Sequence, residues 1–134
     1  MTTVIDTNVL RAADILGHPR HDEALDALAD AVPPLIIPAV VLSEILVDLD
    51  QPSWDSYLQG LTADGFEIAA FDLRATARAR QESFAVPPRL RLPDASVLAT
   101  ARVVGASAVA TFDEALRRAA QQDGFAALPA VAAE

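Results

Sequence analysis

Val4-Ile5-Asp6-Thr7-Asn8-Val9-Leu10 is a short apolar run that ends on an acid and two small polar residues before turning apolar again. Asp, Thr and Asn side chains turn a chain and cap helices by accepting backbone N–H bonds. The stretch therefore predicts a strand over Val4-Ile5 and a helix beginning near Val9, with Asp6 in the turn between them. The same order recurs far along the chain. Ala108-Val109-Ala110-Thr111 reads as strand, and Asp113 as the cap of a helix through Ala120.

The segments between repeat this alternation. His21 to Ala31 places Ala24, Leu25, Leu28 and Ala31 at helical spacing beside four acids, and Pro33-Pro34 ends it. Leu35-Ile36-Ile37 is wholly apolar, as a buried parallel strand is, and Pro38 suits the first turn of a helix through Leu49 that contains Glu44. A short helix carries Trp54, Tyr57, Leu58 and Leu61; Asp64-Gly65 makes a turn; Phe66-Glu67-Ile68 reads as strand and Asp72 to Phe84 as helix. Prolines 87, 88 and 93 bound a loop holding Arg89 and Arg91. A helix then runs from Asp94 to Val104 with Gly105 as its stop, and Phe125 to Val131 is a weak final strand or tail. Short apolar strands alternating with amphipathic helices predict one α/β domain over residues 1–134, three layers deep (α/β/α), around a central, mainly parallel sheet.

Composition removes several function classes. The chain has 134 residues and no cysteine, which excludes disulfides, thiolate nucleophiles and zinc-thiolate sites. All ten basic residues are arginine, so Walker-A loops and lysine Schiff bases are excluded as well. Prolines and polar residues break the longest apolar stretch well short of a membrane span, and no basic segment precedes the first apolar residues. A non-membrane, cytoplasmic protein is expected. A net charge of -9 argues against a broad basic surface for nucleic acid, so a phosphate-directed function needs another source of positive charge.

In a parallel sheet, ligands bind beyond the carboxyl ends of the strands. Asp6 and Asp113 follow two of those ends, Asp94 opens a helix after Pro93, and Glu44 lies early in the helix after the second strand, so four acids can converge. Two like charges about 4 Å apart repel by roughly 4 kcal/mol at an effective dielectric of about 20, and no lysine is present to offset them. Hard divalent cations prefer carboxylate and water oxygens, which makes the group a candidate metal site for in-line phosphoryl displacement. Each acid taken alone is as well explained as a helix cap or a solvated helical residue.

Taken together, Val4-Ile5-Asp6-Thr7-Asn8-Val9-Leu10, Glu44-Ile45-Leu46, Leu92-Pro93-Asp94-Ala95 and Ala110-Thr111-Phe112-Asp113 resemble the PIN-domain ribonucleases over nearly the whole chain, and most of all the VapC-like toxins of toxin-antitoxin pairs. The resemblance implies RNA hydrolysis with Mg²⁺ or Mn²⁺ held by Asp6, Glu44, Asp94 and Asp113, Asp6 and Asp94 being direct ligands. It also implies that Asn8 and Thr111 orient these acids, and that the protein is a homodimer neutralised by a cognate antitoxin. Leu116 stands where the family more often has Phe. A PIN fold serving RNA maturation, or a catalytically silent binding protein, is the alternative. A response-regulator receiver needs a lysine that is absent, and a dehalogenase-type phosphatase needs an acid where Asn8 stands.

Arg89 and Arg91 flank the expected site as candidate phosphate contacts, although arginines in a proline-bounded loop are more often simply solvated. Arg74 and Arg78, His18 and His21, and Trp54 and Tyr57 are read as an exposed helix face, an exposed loop pair and helix packing, respectively.

Overall fold

The structure, a computed structural model, describes residues 2–70, 74, 75, 78 and 90–130. Five strands form one sheet: β1 (Thr3–Ile5), β2 (Leu35–Pro38), β3 (Phe66–Ala69), β4 (Ala108–Ala110) and β5 (Ala126–Leu128). Their order is β3-β2-β1-β4-β5, and every pairing is parallel. Helices α1 (Thr7–Asp14), α2 (His21–Asp30), α3 (Ala39–Val47), α4 (Trp54–Ala63), α5 (Leu92–Val104) and α6 (Glu114–Gln122) connect them, with a 3₁₀ turn at Gln51–Ser53.

Successive strand residues point to opposite faces of a sheet. Thr3, Val4 and Ile5 are all fully buried, so β1 is covered on both sides, and β4 is buried throughout as well. This is the three-layer α/β/α arrangement expected from the sequence. The core is aliphatic, with Val4, Ile5, Leu10, Ile37, Val41, Leu98, Val109 and Leu116 at its centre. Helix α5 is buried from Ala95 to Ala101, and its small residues let it lie close against its neighbours.

Several boundaries differ from the sequence reading. Helix α1 begins at Thr7 because the Asp6 carboxylate accepts from the Thr7 N–H and caps the helix one residue after the strand. Pro38 does not open a helical turn: it closes β2 in extended conformation and stands at the cap of α3, which stops at Val47. Helix α5 starts at Leu92, so Asp94 is its third residue, with Arg91 at the cap. It ends as expected at Gly105, whose φ of 67° is left-handed and open to glycine without strain. The tail resolves into a three-residue strand, β5. Most of the helix expected over 72–84 lies outside the described residues, although Arg74, Ala75 and Arg78 are helical.

The chain runs outward from β1 through β2 to β3, then returns to add β4 and β5 on the other side. The direction of winding reverses between β1 and β4. A crevice opens at the carboxyl ends of these two strands, and in open parallel sheets that is where ligands bind.

Candidate active site at the carboxyl edge

Asp6 leaves β1 and Thr111 leaves β4, two strands hydrogen-bonded side by side, with the Asp6 N–H donating to Ala110 O at 2.9 Å. This adjacency joins residues 105 positions apart. The Thr111 hydroxyl donates to Asp6 Oδ2 at 2.8 Å and accepts from the Asp113 N–H at 3.1 Å. The Asn8 side-chain amide reaches it at 3.4 Å, while Asn8 Oδ1 accepts from the Phe112 N–H at 3.1 Å. Thr7 N–H supplies Asp6 Oδ1 at 2.8 Å. Both oxygens of Asp6 are thus held, and the side chain is only 6% exposed.

Glu44 reaches the same place from α3. Its Oε1 accepts from the Thr7 hydroxyl at 3.1 Å, and its backbone carbonyl accepts from Arg11 Nη2 at 2.9 Å. Asp94 enters from the first turn of α5. Asp6, Glu44 and Asp94 line one cavity of about 520 Å³ together with Thr7, Asn8, Arg11, His18, Arg20 and Phe112. Asp113 is not in that lining; its Oδ1 caps α6 by accepting from the Leu116 N–H at 2.9 Å.

Burial and the neighbouring acids raise the proton affinity of Asp6 and Asp94. Burial pushes the Asp6 carboxyl above its ordinary range against the hydrogen bonds from Thr111 and Thr7, and the charges of Glu44 and Asp113 add to the rise. Asp94 is pushed up to about 6, first by burial, then by Asp113, Asp6 and Glu44, with Arg91 opposing. Asp113 therefore belongs to the cluster electrostatically even though its carboxylate is engaged as a cap. Unbalanced negative charge converging on a cavity is what a cation would relieve.

Among the described residues, no group of three or more Asp, Glu or His side chains is placed to hold a metal ion between them. Mg²⁺ keeps several waters and is bound through one or two carboxylates, so it does not require a group of three protein ligands. The carboxylate oxygens of Asp6, Glu44 and Asp94, the absence of cysteine and the repulsion felt by Asp6 and Asp94 all fit such an ion.

Other candidates fall elsewhere. Arg91 is exposed at the α5 cap and acts on Asp94 only through its charge; Arg89 lies outside the described residues. His21 is not a loop residue: it opens α2, with its Nδ1 2.8 Å from Ala12 O. Trp54 Nε1 is held by Leu46 O and Leu49 O, and the Tyr57 hydroxyl donates to Asp14 at 2.9 Å; neither side chain lines the acid cavity. Thr7, Arg11, His18 and Arg20 also line the cavity; the sequence reads His18 as an exposed loop imidazole with no role, and Arg11 and Arg20 carry no sequence signal. Thr7 belongs to the Asp6-Thr7-Asn8 turn that the motif marks.

A family profile for the PIN domain matches residues 3–122. The chain belongs to the PIN domain family. Solved structures with this fold include VapC20 of Mycobacterium tuberculosis, described as a sarcin-ricin loop cleaving toxin, at 18% identity and a TM-score of 0.71 over 92% of this chain and 95% of that one. FitAcB from Neisseria gonorrhoeae matches at 19% identity and a TM-score of 0.67, covering 93% and 95%. A toxin-antitoxin complex from Klebsiella pneumoniae matches at 25% identity and a TM-score of 0.62, covering 83% and 86%. Among curated protein sequences none matches this chain. The resemblance carried by the four acidic motifs is thus borne out at the level of family and fold.

Proposed function

We propose that this PIN domain is a metal-dependent endoribonuclease that hydrolyses RNA phosphodiester bonds, and that it is the toxin of a toxin-antitoxin pair. The observation that carries the reading is the convergence of Asp6, Glu44 and Asp94 on one cavity at the strand switch point, with no lysine to neutralise them. The toxin assignment rests on the PIN-family match and on the toxin and toxin-antitoxin structures that share the fold. By the same analogy the partners are a cognate antitoxin and a second copy of the chain, and the site of action is the cytoplasm.

Asp6 and Asp94 would hold a Mg²⁺ or Mn²⁺ ion directly, with Glu44 and Asp113 as the further acids of the set. Bound there, such an ion supplies positive charge to the phosphate and lowers the pKa of a water. The chain's own task is to keep the oxygens in place. Thr111 and Thr7 fix the Asp6 carboxylate, Thr7 fixes Glu44, and Asn8 locks the β4 exit that carries Thr111. A site built this way loses little free energy to reorganisation when the phosphate arrives.

The test is cleavage of a mixed pool of structured RNAs by the purified protein with Mg²⁺, with Mn²⁺ and with EDTA, alongside Asp94→Asn. Cutting that needs metal and falls about a hundredfold or more in the variant supports the reading. Cutting that persists in EDTA or is undiminished in Asp94→Asn refutes the site; no cutting by the wild type removes the nuclease and leaves a binding protein.

A further inference from the structure

A protein of net charge -9 that handles RNA must hold a polyanion beside its own acids, so the cations on the cavity wall matter more than the total. Two line it: Arg11 and Arg20. Arg11 is committed, since its Nη2 donates to Glu44 O and pairs with Asp48. Arg117, nearby, is also committed: it is 5% exposed, with Nη1 on Thr111 O at 3.0 Å and Nη2 on Pro129 O at 2.7 Å.

Arg20 differs. Among the described residues its guanidinium makes no hydrogen bond or ion pair; it lies over the Phe112 ring, 4.8 Å from the centroid. Its backbone N–H donates to His18 Nδ1 at 3.0 Å, which fixes the loop between α1 and α2 that carries it. Although Arg20 stands at the cap of α2, its side chain plays no capping role. Stacking on an aromatic face orients a guanidinium while leaving its five N–H donors open, and their planar fork matches phosphate oxygens.

Arg20 and Phe112 also line a second cavity of about 470 Å³, whose other walls include Glu23, Asp26, Glu114 and Arg117. The pair is therefore the ridge between two cavities that both carry acids, the second with Glu23, Asp26, Asp30 and Glu114, and Arg20 is the cation on that ridge. We infer that Arg20, held on the Phe112 ring, is a phosphate-binding residue that grips the RNA backbone one step from the scissile bond as the strand crosses this ridge. Phe112 is its platform. This rests on the nuclease reading above, but the RNA contact is testable without cleavage.

Two measurements are made on wild type, Arg20→Ala, Arg20→Lys and Phe112→Leu: steady-state cleavage of a short RNA with Mn²⁺, and anisotropy of the same RNA in EDTA across a salt series. Circular dichroism confirms that each variant is folded, which exposed Arg20 makes safe. Arg20→Ala is expected to raise KM about tenfold with the loss falling on KM rather than kcat, and to flatten the salt slope by about one phosphate contact. Arg20→Lys should recover the salt slope but only part of the affinity, because it keeps the charge and loses the fork; Phe112→Leu should fall between. A wild type that cuts while Arg20→Ala keeps its KM and salt slope overturns the role of Arg20 and leaves the nuclease standing. A wild type that binds without cutting removes the nuclease, and the salt series alone then decides for or against Arg20. If wild type neither cuts nor binds RNA, both fall.

Discussion

The two edges of the sheet treat charge in opposite ways. At the carboxyl edge, Asp6, Glu44 and Asp94 share one cavity, and Asp6 and Asp94 feel the other acids as repulsion. At the amino edge, just before β4 and β5, a cavity of about 600 Å³ is lined by Arg74, Arg78, Arg102, Asp123 and Phe125. There Arg102 pairs with Asp123 at 2.6 Å and lies over Phe125, 5.8 Å from the ring centroid. The amino edge holds an acid paired directly with an arginine; the carboxyl edge gathers acids that repel one another. Charge left unbalanced at a switch point marks function, while a partly exposed pair marks structure.

The sharpest way to break this comparison is to remove the excess. Asp6→Asn, like Asp94→Asn, should lower metal-dependent RNA cleavage about a hundredfold or more while the protein stays folded, since Asn keeps the α1 cap. Full activity in either variant, read in the same cleavage assay, would put the function elsewhere.

A smaller loss is expected from Thr111→Val, which keeps the shape and deletes one hydroxyl. Asp6 loses a donor, and the Asp113 N–H and the Asn8 amide lose an acceptor. Cleavage should fall about 10–100-fold, as for residues that orient metal-binding groups, and the fold should lose about 1–3 kcal/mol for the groups left unsatisfied. Kinetics combined with a denaturant titration separates the two effects.

Titration sharpens the contrast without changing the activity assay. The Asp94 carboxyl has a pKa of about 6 in the fold against 3.8 for the free group, so the folded state binds protons more tightly than the unfolded one. Stability in EDTA should therefore fall as pH rises from about 4 to 6 and then level off. Burial and the neighbouring acids push Asp6 the same way. Melting curves at pH 4.5 and 7 should differ less in Asp94→Asn, which should also be the more stable of the two at pH 7, by about 1–2 kcal/mol once screening of the half-buried group is allowed for.

The smallest effect belongs to the amino edge. Asp123→Asn breaks a partly exposed pair and should cost no more than about 1 kcal/mol, with RNA cleavage at the wild-type level. A large loss of cleavage there would mean that the two edges are coupled and that the comparison is wrong.

Local patterning made much of the fold legible. The apolar runs at Val4-Ile5, Leu35-Ile37 and Ala108-Ala110 each became a parallel strand, because a strand covered on both faces has to be apolar without alternation. Asp6 and Asp113 were readable as caps from their place between strand and helix, and both cap. The errors fell on boundaries. Pro38 suits either the end of a strand or the start of a helix, and its pairing with β3 decides for the strand.

Chemistry-bearing residue types and their place at strand ends are properties of consecutive positions, set by propensity, periodicity and capping, and so they were written in the chain order. The order of strands is not. Placing β1 beside β4 brings Thr111 onto Asp6 across 105 positions, and the packing of α3 brings Glu44 onto Thr7 across 37. The loop after α1 delivers Arg20 to Phe112, residues that no spacing rule connects. Such contacts depend on which surfaces bury best against one another, a property of the whole core, and only the assembled fold decides which polar groups the core leaves facing the same cavity.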